Sequence, residues 1–363
     1  MVRKNTLKYV AEKAGVSTAA VSYALSGSHG VGSEMRARIL KIAAEVGYRP
    51  SMAARCLKSK KIHDIGFLVF ESYNTNFLAN LSFAEMMVHF IEICKNLGIG
   101  FQVEWFDISR PGKDLPQMFS SGLVGGIVTA GYMGEELKRF METKLEVPVV
   151  NVYEEGKYSV CVDAFEGTRA LVRYLAENGH SRIGYVDCSH EYDVFRSSYK
   201  GFRAGLLDAG LEYREEYRAE MPLDNDLIGH VVTACETIYL RHETPPTAII
   251  GSGSNLARGM VAYLKDRGVR ISEELSFITR YTTPRDCLYN YPQLSALEIN
   301  LNSLISSAVE LLRNLMDGKD LTPKKILLMP ELVHRATDRR VENSSAAPGG
   351  PGTSKNGATE ERI

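Results

Sequence analysis

Beyond residue 62, apolar runs of strand length alternate with amphipathic segments of helix length, and this alternation constrains the fold most strongly. The apolar runs lie at 65–70, 101–106, 126–129, 147–152, 182–186, 248–251, 276–278 and 325–329. Helices are expected near 79–96, 114–121, 134–144, 165–178, 198–210, 226–241, 254–267 and 301–317. Because the strands are apolar on both faces, they predict parallel sheets covered by helices. About 270 residues are more than a single hydrophobic core usually accommodates, so two doubly wound lobes are expected.

Charge divides the chain at the same point. The first 61 residues carry twelve Lys/Arg and three Asp/Glu, a net charge of +9, whereas the chain as a whole has a net charge of −1. A small basic unit attached to an acidic body is suited to contact with a polyanion. A basic surface without a partner is the alternative.

The basic segment has the pattern of a helix-turn-helix. Thr6 is a suitable N-cap for a first helix that Gly15 ends, and Ser17 can cap a second helix that Gly27 ends. A third helix is expected at about 33–46. The predicted inner faces consist of Leu7, Val10, Ala11, Ala14, Ala20, Val21, Ala24, Leu25, Ile39, Ile42, Ala43 and Val46. Two short helices joined by a tight turn place the second in the DNA major groove. A generic three-helix bundle would show similar spacing.

Several motifs resemble the lac repressor/galactose repressor family of bacterial regulators. They are TLKYVAEKAGVS at 6–17, VS at 21–22, GYRP at 47–50, AAR at 53–55 with Leu57, GHSRIG at 179–184, PTAI at 246–249 and LSAL at 294–297. The resemblance extends to about residue 338. It implies a regulator with an N-terminal all-α helix-turn-helix headpiece, a hinge helix and an α/β two-lobed core like that of periplasmic binding proteins, with parallel doubly wound sheets.

The resemblance also divides the chain. It implies a DNA-binding domain at 1–50, a hinge helix at 51–61 and an effector-binding and dimerisation core at 62–338. The core would comprise an N-lobe of 62–160 and 294–322 and a C-lobe of 161–293 and 323–338, with the chain crossing between them near 160, 293 and 322. Residues 342–363 are rich in Ser, Pro, Gly and Asn, which predicts a disordered tail.

Individual DNA-contacting roles follow from the resemblance. Thr18, Ala19 and Tyr23 occupy the base-reading positions of the second helix, and Leu57 matches a wedge that parts a base step in the minor groove. Further contacts are implied for Thr6, Leu7, Ser17, Ser22, Ser26, Ala54 and Arg55. Many relatives carry Arg at the position of Tyr23, and Tyr cannot bind guanine bidentately, so a changed base preference is expected. Alternatively, Tyr23 packs on the sugar-phosphate edge.

The expected effector cleft departs from sugar-binding relatives at three places. Ser198 stands where relatives have Arg, with Arg196 the nearest substitute; Gly253-Ser254 stands where they often have Asn-Asp, and Tyr281 where they have Asp. Binding of a hexose through the family's usual contacts is therefore not expected, and Arg280 and Tyr281 would instead offer a cation and a stacking surface. Candidate effector contacts are Phe77, Asp163, Glu166, Arg196 and Tyr281. Asp163 could instead cap the following helix, and Phe77 could pack in the core.

Other function classes find little support. Gly251-Ser252-Gly253 lacks the third glycine of a dinucleotide fingerprint, and neither G-x-S-x-G nor H-E-x-x-H occurs. We therefore expect no enzyme activity, cofactor or metal. Six cysteines without C-x-x-C spacing predict small buried side chains in a reducing cytoplasm. The absence of a secretory or membrane-spanning segment favours a cytoplasmic protein.

Together these features predict a homodimeric transcriptional repressor that binds a near-palindromic double-stranded DNA operator. A small molecule between the lobes would modulate it. The alternative is a regulator whose core has lost sugar sensing and responds to a protein partner or to no ligand. A free-standing binding protein or enzyme on the same core is a third possibility, which the basic head disfavours.

Overall fold

The computed structural model forms two compact units, Met1–Asp64 and Ile65–Ile363. It describes residues 6–26, 30–48, 63–71, 81–108, 115–131, 133–188, 190, 192–222, 226–319, 322 and 324–339. The predicted hinge at 51–61 and tail at 342–363 lie outside these residues. No helix within them is long and apolar enough to cross a membrane.

The described residues of the first unit form three helices, α1 (Leu7–Ala14), α2 (Thr18–Ser26) and α3 (Ser33–Glu45). The Thr6 hydroxyl accepts a hydrogen bond from Tyr9 N at 3.2 Å, and Ser17 Oγ accepts one from Ala20 N at 3.1 Å. Between the helices Gly15 has φ 67°, a left-handed conformation that glycine adopts without strain. The predicted capped helix-turn-helix is therefore confirmed.

A small apolar core holds the three helices together. It consists of Val10, Ala11, Ala14, Val21, Ala24, Ile39 and Ala43, all at most 4% exposed. Leu7, Leu25 and Val46 pack around it, partly buried. Because most of these side chains are small, α1, α2 and α3 approach one another closely, and one face of α2 is left outside the core.

The first lobe of the second unit is a six-stranded sheet in the order β11-β5-β4-β3-β1-β2. All of its neighbouring strands are parallel. Its strands are β1 (Ile65–Glu71), β2 (Phe101–Asp107), β3 (Gly126–Gly131), β4 (Val149–Val152), β5 (Tyr158–Val162) and β11 (Lys324–Leu328). The helices that cover it are α4 (Leu81–Leu97), α5 (Glu135–Lys144) and α11 (Leu301–Met316).

The second lobe is a six-stranded sheet in the order β12-β10-β9-β8-β6-β7, in which only β12 is antiparallel to its neighbour. Its strands are β6 (Ile183–Cys188), β7 (Arg218–Met221), β8 (Ala248–Ser252), β9 (Ser276–Thr282), β10 (Ser295–Glu298) and β12 (Glu331–Val333). Its helices are α6 (Ala164–Glu177), α7 (Asp193–Asp208), α8 (Leu227–Cys235), α9 (Ser254–Asp266) and α10 (Pro284–Leu288). The predicted fold class is thus confirmed.

Two of the expected lobe crossings were placed one strand too early. The chain passes between the sheets after β5, between β10 and α11, and between β11 and β12. Residues 295–298, assigned to the first lobe from the sequence, therefore form a strand of the second, and the strand at 324–328 belongs to the first. Both strands are parallel neighbours of strands from elsewhere in the chain, β9 and β5, and a single sequence does not reveal such pairing.

Other local differences are smaller. Strands β5, β7, β10 and β12 and helix α10 were not predicted. The helix expected at 114–121 is reduced to a 3₁₀ turn, Gln117–Phe119, the helix expected from 198 begins at Asp193, and the one expected through 241 changes to a π-turn, Glu236–Leu240. The predicted burial of the cysteine side chains is confirmed for the five that the structure describes, all of which are free thiols: Cys94, Cys161, Cys188, Cys235 and Cys287.

Candidate DNA-reading helix and inter-lobe cleft

The outer face of α2 carries the predicted base-reading positions. Thr18 and Ala19 are exposed in its first turn, and Tyr23, one turn later, is 46% exposed. Val21 and Ala24, on the opposite face, are fixed in the core. The helix is therefore held from one side while its other side remains accessible, as a recognition helix in a DNA groove requires.

The remaining residues that were predicted to contact DNA differ in how exposed they are. Ser17 is exposed, and its hydroxyl caps α2. Ser22, Thr6 and Leu7 are half-buried. The Ser26 side chain and Ala54, Arg55 and Leu57 lie outside the described residues. Exposed basic side chains flank these positions: Lys8, Lys13, Arg38 and Lys41.

In the second unit, Tyr281 lies near the carboxyl end of β9 and makes an unusual set of contacts. Its backbone has φ 55°, which side-chain-bearing residues rarely adopt. Its hydroxyl donates to Ala164 O at 2.9 Å, accepts from Ser198 Oγ at 2.9 Å and lies 2.8 Å from Thr168 Oγ1. Burial raises its pKa. The side chain is thereby attached to both α6 and α7.

Arg280 does not provide the expected cation in the cleft. It is 0% exposed, and its Nη2 bonds Asp187 Oδ1 at 3.1 Å and Val186 O at 3.3 Å. Arg280 Nε donates to Gly251 O at 3.2 Å. The other oxygen of the Asp187 carboxylate, Oδ2, accepts a hydrogen bond from Tyr185 Oη at 2.5 Å. The expectation was wrong because the side chain points into the lobe, where the buried Asp187 carboxylate needs a partner.

The other charged candidates for effector contacts also have partners within the protein. Asp163 Oδ1 accepts from Glu166 N at 3.0 Å and so caps α6, which is the alternative considered from the sequence. Glu166 Oε1 pairs with Arg169 Nη1 at 3.2 Å. Arg196 pairs with Asp193 and donates to His190 O. Phe77 lies outside the described residues. The assignment of these residues to an effector stays a prediction.

A buried charge cluster between the lobes was missed from the sequence. Lys138 Nζ of α5 lies 2.7 Å from Glu154 Oε2 and 2.9 Å from Asp193 Oδ2, at the start of α7 in the other lobe. Glu155 N also donates to Asp193 Oδ2, at 3.0 Å. Burial raises the pKa of Glu154 to about 7, although Lys138 opposes the shift. The residues are far apart in sequence, so no motif signals the cluster.

A cavity of about 80 Å³ lies between the lobes and is lined by parts of both, and a second, of about 360 Å³, is lined by the charged side chains around Lys138 and Asp193. Tyr153, Glu155, Asp163, Val194 and Lys325 contribute to the walls of the first cavity. Pockets for small ligands usually measure about 300–1,000 Å³. The first cavity, enclosed by these described residues, is therefore small for a sugar.

Comparisons with known proteins agree with this arrangement. Residues 6–51 match the family described as "Bacterial regulatory proteins, lacI family", and residues 172–337 match "Periplasmic binding protein-like domain". The HTH-type transcriptional repressor PurR of Vibrio parahaemolyticus serotype O3:K6 is 27% identical over 346 residues, which cover 93% of this chain and 99% of that protein. PurR of Vibrio campbellii is 26% identical over 343 residues, with the same coverage.

Solved structures share the fold over nearly the whole chain. A lac repressor dimer bound to operator and the anti-inducer ONPF has a TM-score of 0.75 and 19% identity, covering 92% of this chain and 99% of that one. The transcriptional regulator CelR in complex with cellobiose has a TM-score of 0.66 and 20% identity, with the same coverage. Residues 6–51 thus match the DNA-binding domain of the lacI family and residues 172–337 a periplasmic-binding-protein-like domain, and over nearly its whole length the chain is similar to DNA-binding transcriptional repressors.

Proposed function

We propose that this regulator is a cytoplasmic homodimeric repressor that reads a near-palindromic operator with α2. The observation that carries the proposal is the exposed first turn of α2, with Thr18 and Ala19, on a basic head whose core holds the opposite face. Contacts to base edges from this turn supply specificity, while the surrounding Lys and Arg residues contact phosphates. Two copies then read two half-sites related by two-fold symmetry.

Tyr23 is the residue that distinguishes this reading surface. Its aromatic ring, 46% exposed, replaces the guanidinium that many relatives carry there. A phenol side chain contacts a thymine methyl or accepts and donates one hydrogen bond, but it has no bidentate fork for guanine. We therefore expect an operator half-site without a strict guanine at the position that α2 places opposite Tyr23.

Exposed apolar side chains on the second lobe support the dimer. Leu227 and Ile228 begin α8, Leu288 ends α10, and Tyr289 and Tyr291 follow α10, all with large exposed surfaces. Both groups lie beside α9, which packs on α8 and contacts Tyr291 of the second group through a 3.5 Å bond from Lys265 Nζ to Tyr291 O. Monomeric proteins rarely expose clustered apolar surface of this kind, whereas subunit interfaces use it.

Two candidates exist for the control of operator binding. In the first, which the family resemblance implies, a small molecule binds between the lobes. In the second, the core has lost sugar sensing and responds to a protein partner or to no ligand. The contacts of Tyr281, Arg280 and Arg196 within the protein favour the second candidate. A polar group that already has a hydrogen-bond partner gains little from a sugar hydroxyl, because one bond must break for the other to form.

Selection of bound sequences from random duplex DNA tests the proposal. The full chain is expected to enrich a near-palindrome, and a chain lacking residues 1–61 is expected to fold but to enrich nothing. A Leu57→Ala variant should lose more affinity for the selected operator than for unrelated DNA, since a wedge acts only at its own base step. Enrichment by the truncated chain would overturn the assignment of DNA reading to the head.

Thermal-shift measurements with sugars, nucleosides and sugar phosphates separate the two candidates for control. A ligand that binds only the folded core stabilises it by RT ln(1 + [L]/Kd), so the unfolding temperature rises with the logarithm of the ligand concentration once that concentration exceeds Kd. Such a concentration-dependent shift, together with a change in operator affinity, would establish small-molecule control, and its absence across these classes would favour the second candidate.

A further inference from the structure

The departures from sugar-binding relatives meet at one point of the second lobe. Ser198 and Tyr281 are 83 residues apart in sequence, yet their side-chain oxygens are 2.9 Å apart. The third departure, Gly253, accepts a hydrogen bond from Thr279 Oγ1 at 3.0 Å and donates its N–H to Arg280 O at 3.1 Å, beside Tyr281. Ser198 and Tyr281 thus form one rearranged site, and Gly253 bonds to the two residues that precede Tyr281 in β9.

Tyr281 fills this site in a well-defined position. Its hydroxyl is shared among Ala164 O, Ser198 Oγ and Thr168 Oγ1, and both hydroxyl partners are 0% exposed. Buried hydroxyls of this kind require partners, and the phenol of Tyr281 is one of them for each, although Ser198 Oγ also bonds Val194 O at 2.7 Å. Its left-handed backbone conformation, with φ 55°, persists only where the surrounding contacts hold it.

The ring of Tyr281 also contacts both lobes. It packs against the apolar core of the first lobe and against the second-lobe group formed by Ala164, Cys188, Tyr192, Val194 and Phe195. One side chain therefore joins α6 and α7 by hydrogen bonds and the two lobes by apolar contact. A ligand that bridges two lobes makes the same two kinds of contact.

We propose that Tyr281 is a built-in occupant of the cleft, so that the core keeps its lobe arrangement without a small molecule. The inference rests on the proposed function, since it assigns the control of operator binding to an internal side chain. It also defines the chemistry of the site: a polyol is excluded by the phenol, and a small free phenol fits only when the side chain of Tyr281 has been removed.

The test is chemical rescue of Tyr281→Ala in the full-length protein. The variant is expected to unfold at a lower temperature than the wild type, and millimolar phenol should restore most of the loss by filling the vacated space. Operator affinity should fall by about tenfold, within the range of typical coupling between sites, and recover with phenol. Toluene, which lacks the hydroxyl, should rescue less.

Two matched variants control the experiment. Leu207→Ala truncates a large apolar side chain on α7 where it is 80% exposed, and it should neither lower the unfolding temperature appreciably nor respond to phenol. Tyr281→Phe keeps the ring and loses the three hydroxyl contacts, so it should be moderately destabilised and insensitive to phenol. This variant tests the hydroxyl contacts even if Tyr281→Ala does not fold.

Thermal rescue and DNA binding are read separately. No phenol response in a folded Tyr281→Ala, or a Tyr281→Phe as stable as the wild type, would overturn the built-in occupant. A sugar that stabilises the wild type but not Tyr281→Phe would overturn it as well. If phenol rescues folding while no variant, nor the wild type, binds any operator, the occupant stands and the proposed function fails.

Discussion

The outer face of α2 and the cleft of the core represent opposite uses of polar side chains. In the first turn of α2, Thr18 and Ala19 face solvent. In the cleft Tyr281 bonds to Ser198, and inside the adjoining lobe Arg280 bonds to Asp187, so that these polar groups are occupied within the protein. A surface that reads a partner leaves its contact positions accessible, whereas the cleft surface has the character of a protein interior.

The difference shows what burial does to a polar site. A buried hydroxyl or carboxylate without a partner costs free energy, so a lobe that carries such groups must bind a ligand or supply its own partner. The side chains of Asp187 and Ser198 have partners from the same lobe. Solvent can bond the exposed Thr18 hydroxyl until DNA replaces it, so that position does not require a partner within the protein.

Arg280→Met should cause the largest loss of stability. It leaves the 0% exposed Asp187 carboxylate with Tyr185 as its main remaining partner, and loss of one member of a buried pair typically costs about 3–5 kcal/mol. Arg270→Met is the matched control, because Arg270 pairs with Glu274 at 2.6 Å but is 64% exposed. Urea unfolding measures both. Equal losses would mean that the buried pair does not set the stability of the second lobe.

Thr18→Ala tests the accessible side of the comparison. If Thr18 contacts a base edge, its removal should weaken binding to the selected operator by about 1–3 kcal/mol and leave stability and non-specific binding unchanged. Thr143→Ala, which removes an exposed threonine hydroxyl from helix α5, far from the head in sequence, serves as the control. Titration of operator and scrambled duplexes at fixed salt distinguishes the outcomes, and equal loss on both duplexes would assign Thr18 to phosphate contact instead.

The sequence predicted the elements whose signal is local. The run at 248–251 is buried on both faces as strand β8, and the Thr6 cap and Gly15 turn of the head are where they were expected. Strand β7, Arg218–Met221, was missed because it is a partly exposed edge strand with alternating charge. Such a strand owes its conformation to its neighbour rather than to its own pattern.

The candidate site was predictable in position but not in its contacts. The unusual residues Ser198 and Tyr281 were identified from the sequence, yet the hydrogen bond between them depends on the pairing and packing of distant elements. The orientation of Arg280 was predicted wrongly for the same reason, because the buried Asp187 that attracts it belongs to a different strand, β6. Charges that meet only in the fold, such as Lys138 and Asp193, have no sequence signature.

His180 offers a pH test of a second internally bonded network in the same lobe. Its ring nitrogens lie 3.0 Å from Thr247 Oγ1 and 3.1 Å from Ser276 Oγ, and burial lowers its pKa. The unfolded chain then binds the proton more readily, so this contribution to stability is present above about pH 6.5 and is lost as the pH falls, by at most about 1.4 kcal/mol per pH unit. Urea unfolding of His180→Gln between pH 7 and 5 should show a flatter dependence than the wild type; parallel curves would contradict the assignment.

Substitutions of Asp163 should have the smallest effect on stability. They also distinguish most directly between a structural role of this carboxylate and a role in ligand binding. Its carboxylate caps α6 by accepting from Glu166 N, and asparagine caps a helix about as well as aspartate. Asp163→Ala should therefore cost about 1 kcal/mol, whereas Asp163→Asn should remain within a few tenths of a kcal/mol of the wild type. Unfolding measurements and operator titration of both variants test this. If Asp163→Asn keeps full stability but changes the operator affinity or abolishes a thermal shift by a ligand, the carboxylate charge acts in the cleft, and the comparison with the accessible face of α2 must be revised at this residue.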